Sequence, residues 1–139
     1  MDWKQEAQAF IKNRGGEFAA LSREIWSYAE LSLKEFRSAA LYIEKLKAEG
    51  FSVTENLGGI PTAFSGSAGS GKPVIGILGE FDALSGLSQA AGETAPRPLV
   101  PGGAGHGCGH NMLGAAAFAA ACGVKRFLEA SGLSGTVVF

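Results

Sequence analysis

Apolar positions in the first fifty residues recur at three- and four-residue intervals, the repeat of one helix face. Phe18, Leu21, Ile25 and Tyr28 form one such stripe, and Phe36, Ala40, Ile43 and Leu46 form a second. Between them, Ser32-Leu33-Lys34-Glu35 fits a capping box. Ser32 would accept from the Glu35 amide while Glu35 reaches back, so a helix is expected to start there. Gly50 stands where a left-handed residue would end it. These helices read as an outer layer that carries no chemistry.

The period then changes. Phe51-Ser52-Val53-Thr54 alternates, and Gly58-Gly59 precedes Ile60-Pro61-Thr62-Ala63-Phe64. A Gly/Ser turn is expected at residues 66–71, followed by the nearly all-apolar run from Pro73 to Phe81. Such a run is expected of a strand covered on both faces. Residues 85–107 have no periodicity and contain Pro96, Pro98 and Pro101, and a stretch this long inside a domain is usually functional or disordered. Residues 110–129 return to an alanine-rich helix, and Thr136-Val137-Val138-Phe139 reads as a fresh strand. The order implies an α/β fold: a three-layer sheet with helices on both faces, incomplete in this chain. The last strand calls for neighbours and a turn after it, so residues 1–139 are expected to be the N-terminal part of a longer protein.

Composition narrows the function. At 139 residues the chain is one domain or part of one. Twelve basic against thirteen acidic residues leave a net charge of −1, which gives no long-range pull on nucleic acid or a membrane surface. Two cysteines are too few for a disulfide framework. The longest apolar run, Met112–Val124, falls well short of the roughly 20 residues of a membrane span. The charged start lacks a signal-peptide core. A cytoplasmic location is therefore expected, with no nucleic-acid or membrane partner. Of the 21 glycines, all but Gly15, Gly16 and Gly50 lie after residue 50, clustered in loops where backbone is to come close to something.

Gly66-Ser67-Ala68-Gly69-Ser70-Gly71-Lys72 matches the spacing of a phosphate-binding loop. That loop needs a preceding strand, a following helix and a Ser/Thr after the lysine. Pro73 stands there instead, so a flexible hairpin turn is the better reading. The stronger signal is Gly105-His106-Gly107-Cys108-Gly109-His110-Asn111, which holds both histidines and one of the two cysteines. Thiolate and imidazole suit zinc and similar ions, and interleaved glycines let closely spaced donors turn toward one ion. A Gly-rich turn with incidental polar residues is the alternative. A Cys108–Cys122 disulfide is not expected, because a helix across 110–122 would separate them by about 20 Å. Glu80 and Asp82, two apart at the end of the apolar run, share one face of an extended chain. They could bind metal or orient a histidine, or they could be solvated charges at a strand end.

Ile25-Trp26-Ser27-Tyr28-Ala29-Glu30-Leu31-Ser32, Gly59-Ile60-Pro61-Thr62-Ala63-Phe64, Gly79-Glu80-Phe81-Asp82-Ala83-Leu84 and the Cys-Gly-His segment occur here in one order. That series resembles the amidohydrolase branch of the aminoacylase-like dinuclear metallopeptidases. The resemblance implies a zinc-exopeptidase-like fold and two divalent ions (Zn, Mn or Co). It makes Cys108 a bridging ligand and His110 a ligand to one ion. It makes Asp82 a supporting catalytic carboxylate with Glu80 beside it, and puts His106 at the substrate site. Asn111 stands where many relatives have Asp. A Glu-Glu pair beyond the last strand, further histidines and a pairing domain would lie outside residues 1–139. The full-length protein would then be a homo- or hetero-oligomer.

The implied reaction is metal-dependent hydrolysis of the amide in a small N-acyl or N-aroyl amino acid or dipeptide. Two ions with about four ligands each need some seven donors even with one bridge. His106, Cys108, His110 and two carboxylates do not reach that number, so the isolated chain is expected to be inactive. Two rivals stand: a hydrolase with Cys108 as nucleophile activated by His106 or His110, and a non-catalytic metal-binding α/β module.

Overall fold

The computed structural model of the chain describes residues 2–139. Helix α1 (Trp3–Asn13) starts at Asp2, whose carboxylate accepts from the amides of Lys4 and Gln5. Helix α2 (Gly15–Tyr28) follows after Arg14 and buries Phe18, Leu21 and Ile25, three members of the expected stripe. The Arg14 guanidinium lies over the Phe10 and Phe18 rings and pairs with Glu17 and Glu49, fastening the α1–α2 corner to the end of helix α3 (Phe36–Ala48).

Helix α3 departs from expectation at its start and in its buried face. No side chain of the Ser32–Glu35 box caps it. Glu30 does so instead, accepting from the amides of Arg37 (2.9 Å) and Ser38 (2.8 Å) and from Ser38 Oγ. The inward residues are Ser38, Ala39, Tyr42 and Leu46, while Phe36 is 55% exposed. Two stripes of helical spacing run along this helix, and periodicity alone could not choose between them. Aromatic partners decide it, because Tyr42 packs against Phe64, Phe81, Phe118 and Phe139 with ring centroids 5.1–6.4 Å away. Gly50 is left-handed just past the helix, as expected.

The sheet has the order β1-β2-β4-β3. Strands β1 (Ser52–Glu55), β2 (Phe64–Ser70) and β4 (Gly135–Val138) are antiparallel neighbours, and β3 (Val74–Gly76) runs parallel to β4 at the edge. Gly66–Ser70, expected as a turn, is thus part of an inner strand. Its small residues make room: a side chain at Gly66 would meet Leu46, and one at Gly69 would stand 2.3 Å from the Gly135 carbonyl. With strands on both sides of it, this segment cannot be a phosphate loop. The long helix α4 (His110–Ser131) crosses the sheet and buries Cys122.

The second helical layer expected from the apolar run at 73–81 is not among the described residues. Helices α3 and α4 cover the face that carries Gly66, Ala68 and Val137, and α1 and α2 pack on α4. Only Val74–Gly76 of the run is strand, and Val74 and Leu78 are 62% and 81% exposed. The mixed α/β sheet is as expected, with its helices on one side.

Candidate functional site

The segment after β3 is set by its neighbours rather than by its own hydrogen-bond ladder. Phe81 turns into the aromatic cluster, 5.1 Å from Tyr42 and 5.8 Å from Phe64. In an extended chain that directs Glu80 and Asp82 together the other way. The Ala83 amide donates to the Glu30 carbonyl (2.7 Å), and Leu84 and Gly105 exchange two backbone bonds of 2.9 and 3.0 Å. Gly114 on α4 lets this segment lie close, since a Cβ there would stand 2.8 Å from the Glu80 carbonyl and 2.6 Å from Tyr42 Oη.

From the other side comes His110, first residue of α4. Gly109 before it has φ 82°, a left-handed cap that favours glycine. The His110 ring is gripped at both nitrogens: Nδ1 is 2.7 Å from Asp82 Oδ1, and Nε2 is 3.2 Å from Glu80 Oε2. One ligand atom each from Glu80, Asp82 and His110 lie within 4.8 Å of one another. These three also line a cavity of about 610 Å³, with Glu35 and Thr62 in the same wall.

The donor set fits a divalent cation. With Nδ1 against Asp82, Nε2 faces the Glu80 carboxylate at 3.2 Å, and a positive charge between them, a proton on the ring or a bound cation, satisfies both. A carboxylate holding the far nitrogen of a ligand histidine is the usual arrangement around bound metal. Cys108, two residues upstream, is exposed with a free thiol and stands outside the three-residue cluster.

The remaining residues singled out from the sequence have other surroundings. His106 Nε2 lies 3.1 Å from the Ile25 carbonyl, to which it donates, and its Nδ1 is buried without a partner among the described residues. Burial lowers its pKa, which keeps the ring neutral, although the Ile25 carbonyl acts in the opposite sense. Asn111 is buried, and its Nδ2 donates to the Ser22 hydroxyl (3.0 Å) and carbonyl (3.3 Å). One residue along a helix turns the side chain by about 100°, so Asn111 faces α2 whereas His110 faces the carboxylates. Sequence reasoning missed Glu30 and the Glu35–Thr62 pair, a buried 2.9 Å hydrogen bond. Only the polarity of Glu30 and Glu35 beside apolar stripes could have flagged them.

No family model matches the chain. It is 52% identical over 122 residues to a subunit of the p-aminobenzoyl-glutamate hydrolase of Escherichia coli K12, covering 88% of this chain and 25% of that protein. It is 30% identical to the Xaa-Arg dipeptidase of Mus musculus, over 91% of this chain and 28% of that one. Among solved structures, a protein described as an aminohydrolase from methicillin-resistant Staphylococcus aureus superposes with a TM-score of 0.78 at 26% identity, covering 97% of this chain and 33% of that one. The YXEP protein of Bacillus subtilis, a dinuclear metal-binding peptidase of the M20 family, superposes with a TM-score of 0.66 at 24% identity, over 95% of this chain and 35% of that one, and shares the fold. The chain spans about a quarter of the length of the curated relatives it matches. Its ordered motifs, its sequence identity and its superposition all agree: the chain belongs to the amidohydrolase branch of the aminoacylase-like metallopeptidases.

Proposed function

We propose that the full-length protein is a metal-dependent amidohydrolase cleaving the amide of an N-acyl or N-aroyl amino acid or dipeptide, and that residues 1–139 are the first part of its catalytic domain. The convergence of Glu80, Asp82 and His110 from two elements far apart in sequence carries this reading. Relatives named as hydrolases of aroyl-glutamate and of dipeptides support the substrate class.

His110 and Cys108 would hold two divalent ions, with zinc, manganese and cobalt as candidates, and Glu80 stands ready to join them. Bound there, the ions supply Lewis acidity to the substrate carbonyl and make water more acidic. Asp82 fixes the tautomer and aim of His110, so that Nε2 offers its lone pair. Phe81 and Gly114 hold the carboxylates against α4. His106, kept neutral by burial and tied to Ile25, forms a fixed wall of the neighbouring cavity. The proton-transferring base and the remaining ligands would come from the rest of the protein, so this chain alone is inactive. The relative named as part of a multi-subunit hydrolase supports a homo- or hetero-oligomer. Two free cysteines suit a cytoplasmic protein, and no helix among the described residues is long and apolar enough to cross a membrane.

A nucleophilic Cys108 has less support. Both His110 nitrogens face carboxylates and His106 Nε2 is spent on Ile25, leaving no hydrogen bond between either ring and the thiol among the described residues. Elemental analysis and turnover of the full-length protein test the reading. Chelation should abolish hydrolysis of N-acyl amino acids, and zinc, manganese or cobalt should restore it. Hydrolysis that survives chelation together with covalent labelling of Cys108 during turnover would overturn it.

A further inference from the structure

The 85–107 loop has neither helix nor strand of its own, yet it is cross-braced. The Gln89 side chain donates to the Ala95 carbonyl and accepts from the Arg97 amide, both at 2.9 Å. The Ala90 amide donates to the Arg97 carbonyl (2.8 Å), and the Ser88 amide to that of Gly103 (3.0 Å). Ser88 Oγ accepts from the Val100 amide at 3.0 Å. The two arms close at Gly105, where a Cβ would lie 2.0 Å from the Leu87 carbonyl. A loop fastened at this many points is a preformed surface and loses little freedom when a ligand arrives.

Between this loop and the end of α2 lies a cavity of about 400 Å³, walled by Trp26, Leu87, Ala90, Leu99, Val100 and His106. That is within the range of small-molecule sites, about 300–1,000 Å³. Among the described residues its one charged wall residue is Glu93, already paired with Arg97 at 2.5 Å, and none of them brings a Lys or Arg side chain to the wall. A carboxylate entering would be desolvated next to an acid with no partner, whereas a flat uncharged group would meet an indole and aliphatic walls. The loop cavity and the carboxylate–histidine cluster are linked along the chain by the segment from Gly107 to His110. Gly107 lines the loop cavity and His110 lines the other, with exposed Cys108 between them.

We infer that the 85–107 loop and Trp26 form the subsite for the uncharged acyl or aroyl half of the substrate, with the carboxylate-bearing half held on the other side of Cys108. This rests on the amidohydrolase reading and assigns which half of the substrate sits where. A dicarboxylic amino acid must therefore find its cationic partners elsewhere in the full-length protein.

Full-length enzyme carrying Trp26→Ala or the space-filling Ala91→Trp tests the assignment, with N-benzoyl and N-acetyl derivatives of one amino acid as substrates. Each variant should lose about tenfold or more in kcat/KM for the benzoyl substrate, as expected when an aromatic contact is removed, and about twofold or less for the acetyl one. Changing the amino-acid half should not alter that ratio. Equal losses for both substrates, or losses that follow the amino-acid half, would overturn the subsite. Calorimetry on chelated full-length protein gives a readout independent of turnover. Benzamide should bind, glutarate should not, and Ala91→Trp should abolish benzamide binding. If wild type hydrolyses no amide yet binds benzamide in this way, the reaction fails and the pocket stands. If benzamide binds equally well to Ala91→Trp, or not at all to wild type, the pocket fails.

Discussion

The imidazole of His110 is held at Nδ1 by Asp82, 2.7 Å away, and confronts the Glu80 carboxylate at Nε2 across 3.2 Å. The two carboxylates are two residues apart on one extended segment, and the histidine opens a helix about thirty residues later. The first contact sets the ring's tautomer and the second leaves a place for positive charge.

Asp82→Asn should therefore weaken metal binding more than folding. An amide can present its oxygen to the ring but carries no charge to strengthen the far nitrogen as a ligand. Metal affinity of the full-length protein, measured by competition with a chelating dye, should fall by about 10- to 100-fold, the usual cost of losing such a support. The melting temperature should change little. Unchanged affinity would remove Asp82 from the site.

Gly114→Ala should destabilise the fold even though alanine is the better helix former by about 1 kcal/mol. The added methyl would sit 2.6 Å from Tyr42 Oη and 2.8 Å from the Glu80 carbonyl. Overpacking of this kind costs about 1–3 kcal/mol. Relieving it pushes Glu80 away from His110, so denaturant melts should shift together with metal affinity.

Tyr42→Phe should leave stability unchanged or raise it by about 1 kcal/mol, because the buried Tyr42 hydroxyl has no partner among the described residues. Burial also holds the phenol's pKa well above the ordinary tyrosine value. Urea unfolding of the two proteins checks the first statement. A loss of more than about 1 kcal/mol would show that the hydroxyl is satisfied in solution.

The two cysteines should differ sharply toward thiol reagents. Cys108 is exposed, whereas Cys122 is buried and desolvation pushes its thiol up to about 12. Iodoacetamide at mildly alkaline pH, followed by peptide mapping, should modify Cys108 in the native protein and both cysteines after denaturation. A raised thiol pKa means that the folded state holds its proton where the unfolded chain releases it. The contribution of Cys122 to stability should thus be complete below about pH 9 and fall as pH rises toward 12. Cys122→Ala should flatten that part of the stability–pH curve. Bound metal should also protect Cys108 from alkylation.

Several features are legible in the order of residues. The α2 stripe, the left-handed Gly50, the helix from residue 110 and the pairing of Glu80 with Asp82 on one face all follow from local rules of period and turn chemistry. The Cys-Gly-His segment marks candidate metal donors because three of them and their glycines are contiguous, and of the three His110 joins the cluster with Glu80 and Asp82. Elsewhere local rules are silent or misleading. Gly66–Ser70 looks like a turn to any propensity scale, yet it is an inner strand because Leu46, Leu128 and the Gly135 backbone need the space its glycines leave.

By itself, then, the order of residues determined the coiling of α2 and α4 and marked a few side chains as candidate cation donors, since these depend on neighbours within a few positions. Tertiary structure alone decided that α3 turns Tyr42 inward and leaves Phe36 exposed, and that Glu30 caps it across a loop. It also decided that Asn111 serves α2 while His110 serves the carboxylates. Those outcomes depend on aromatic rings and hydrogen-bond partners far away in sequence, whose distances no spacing rule contains.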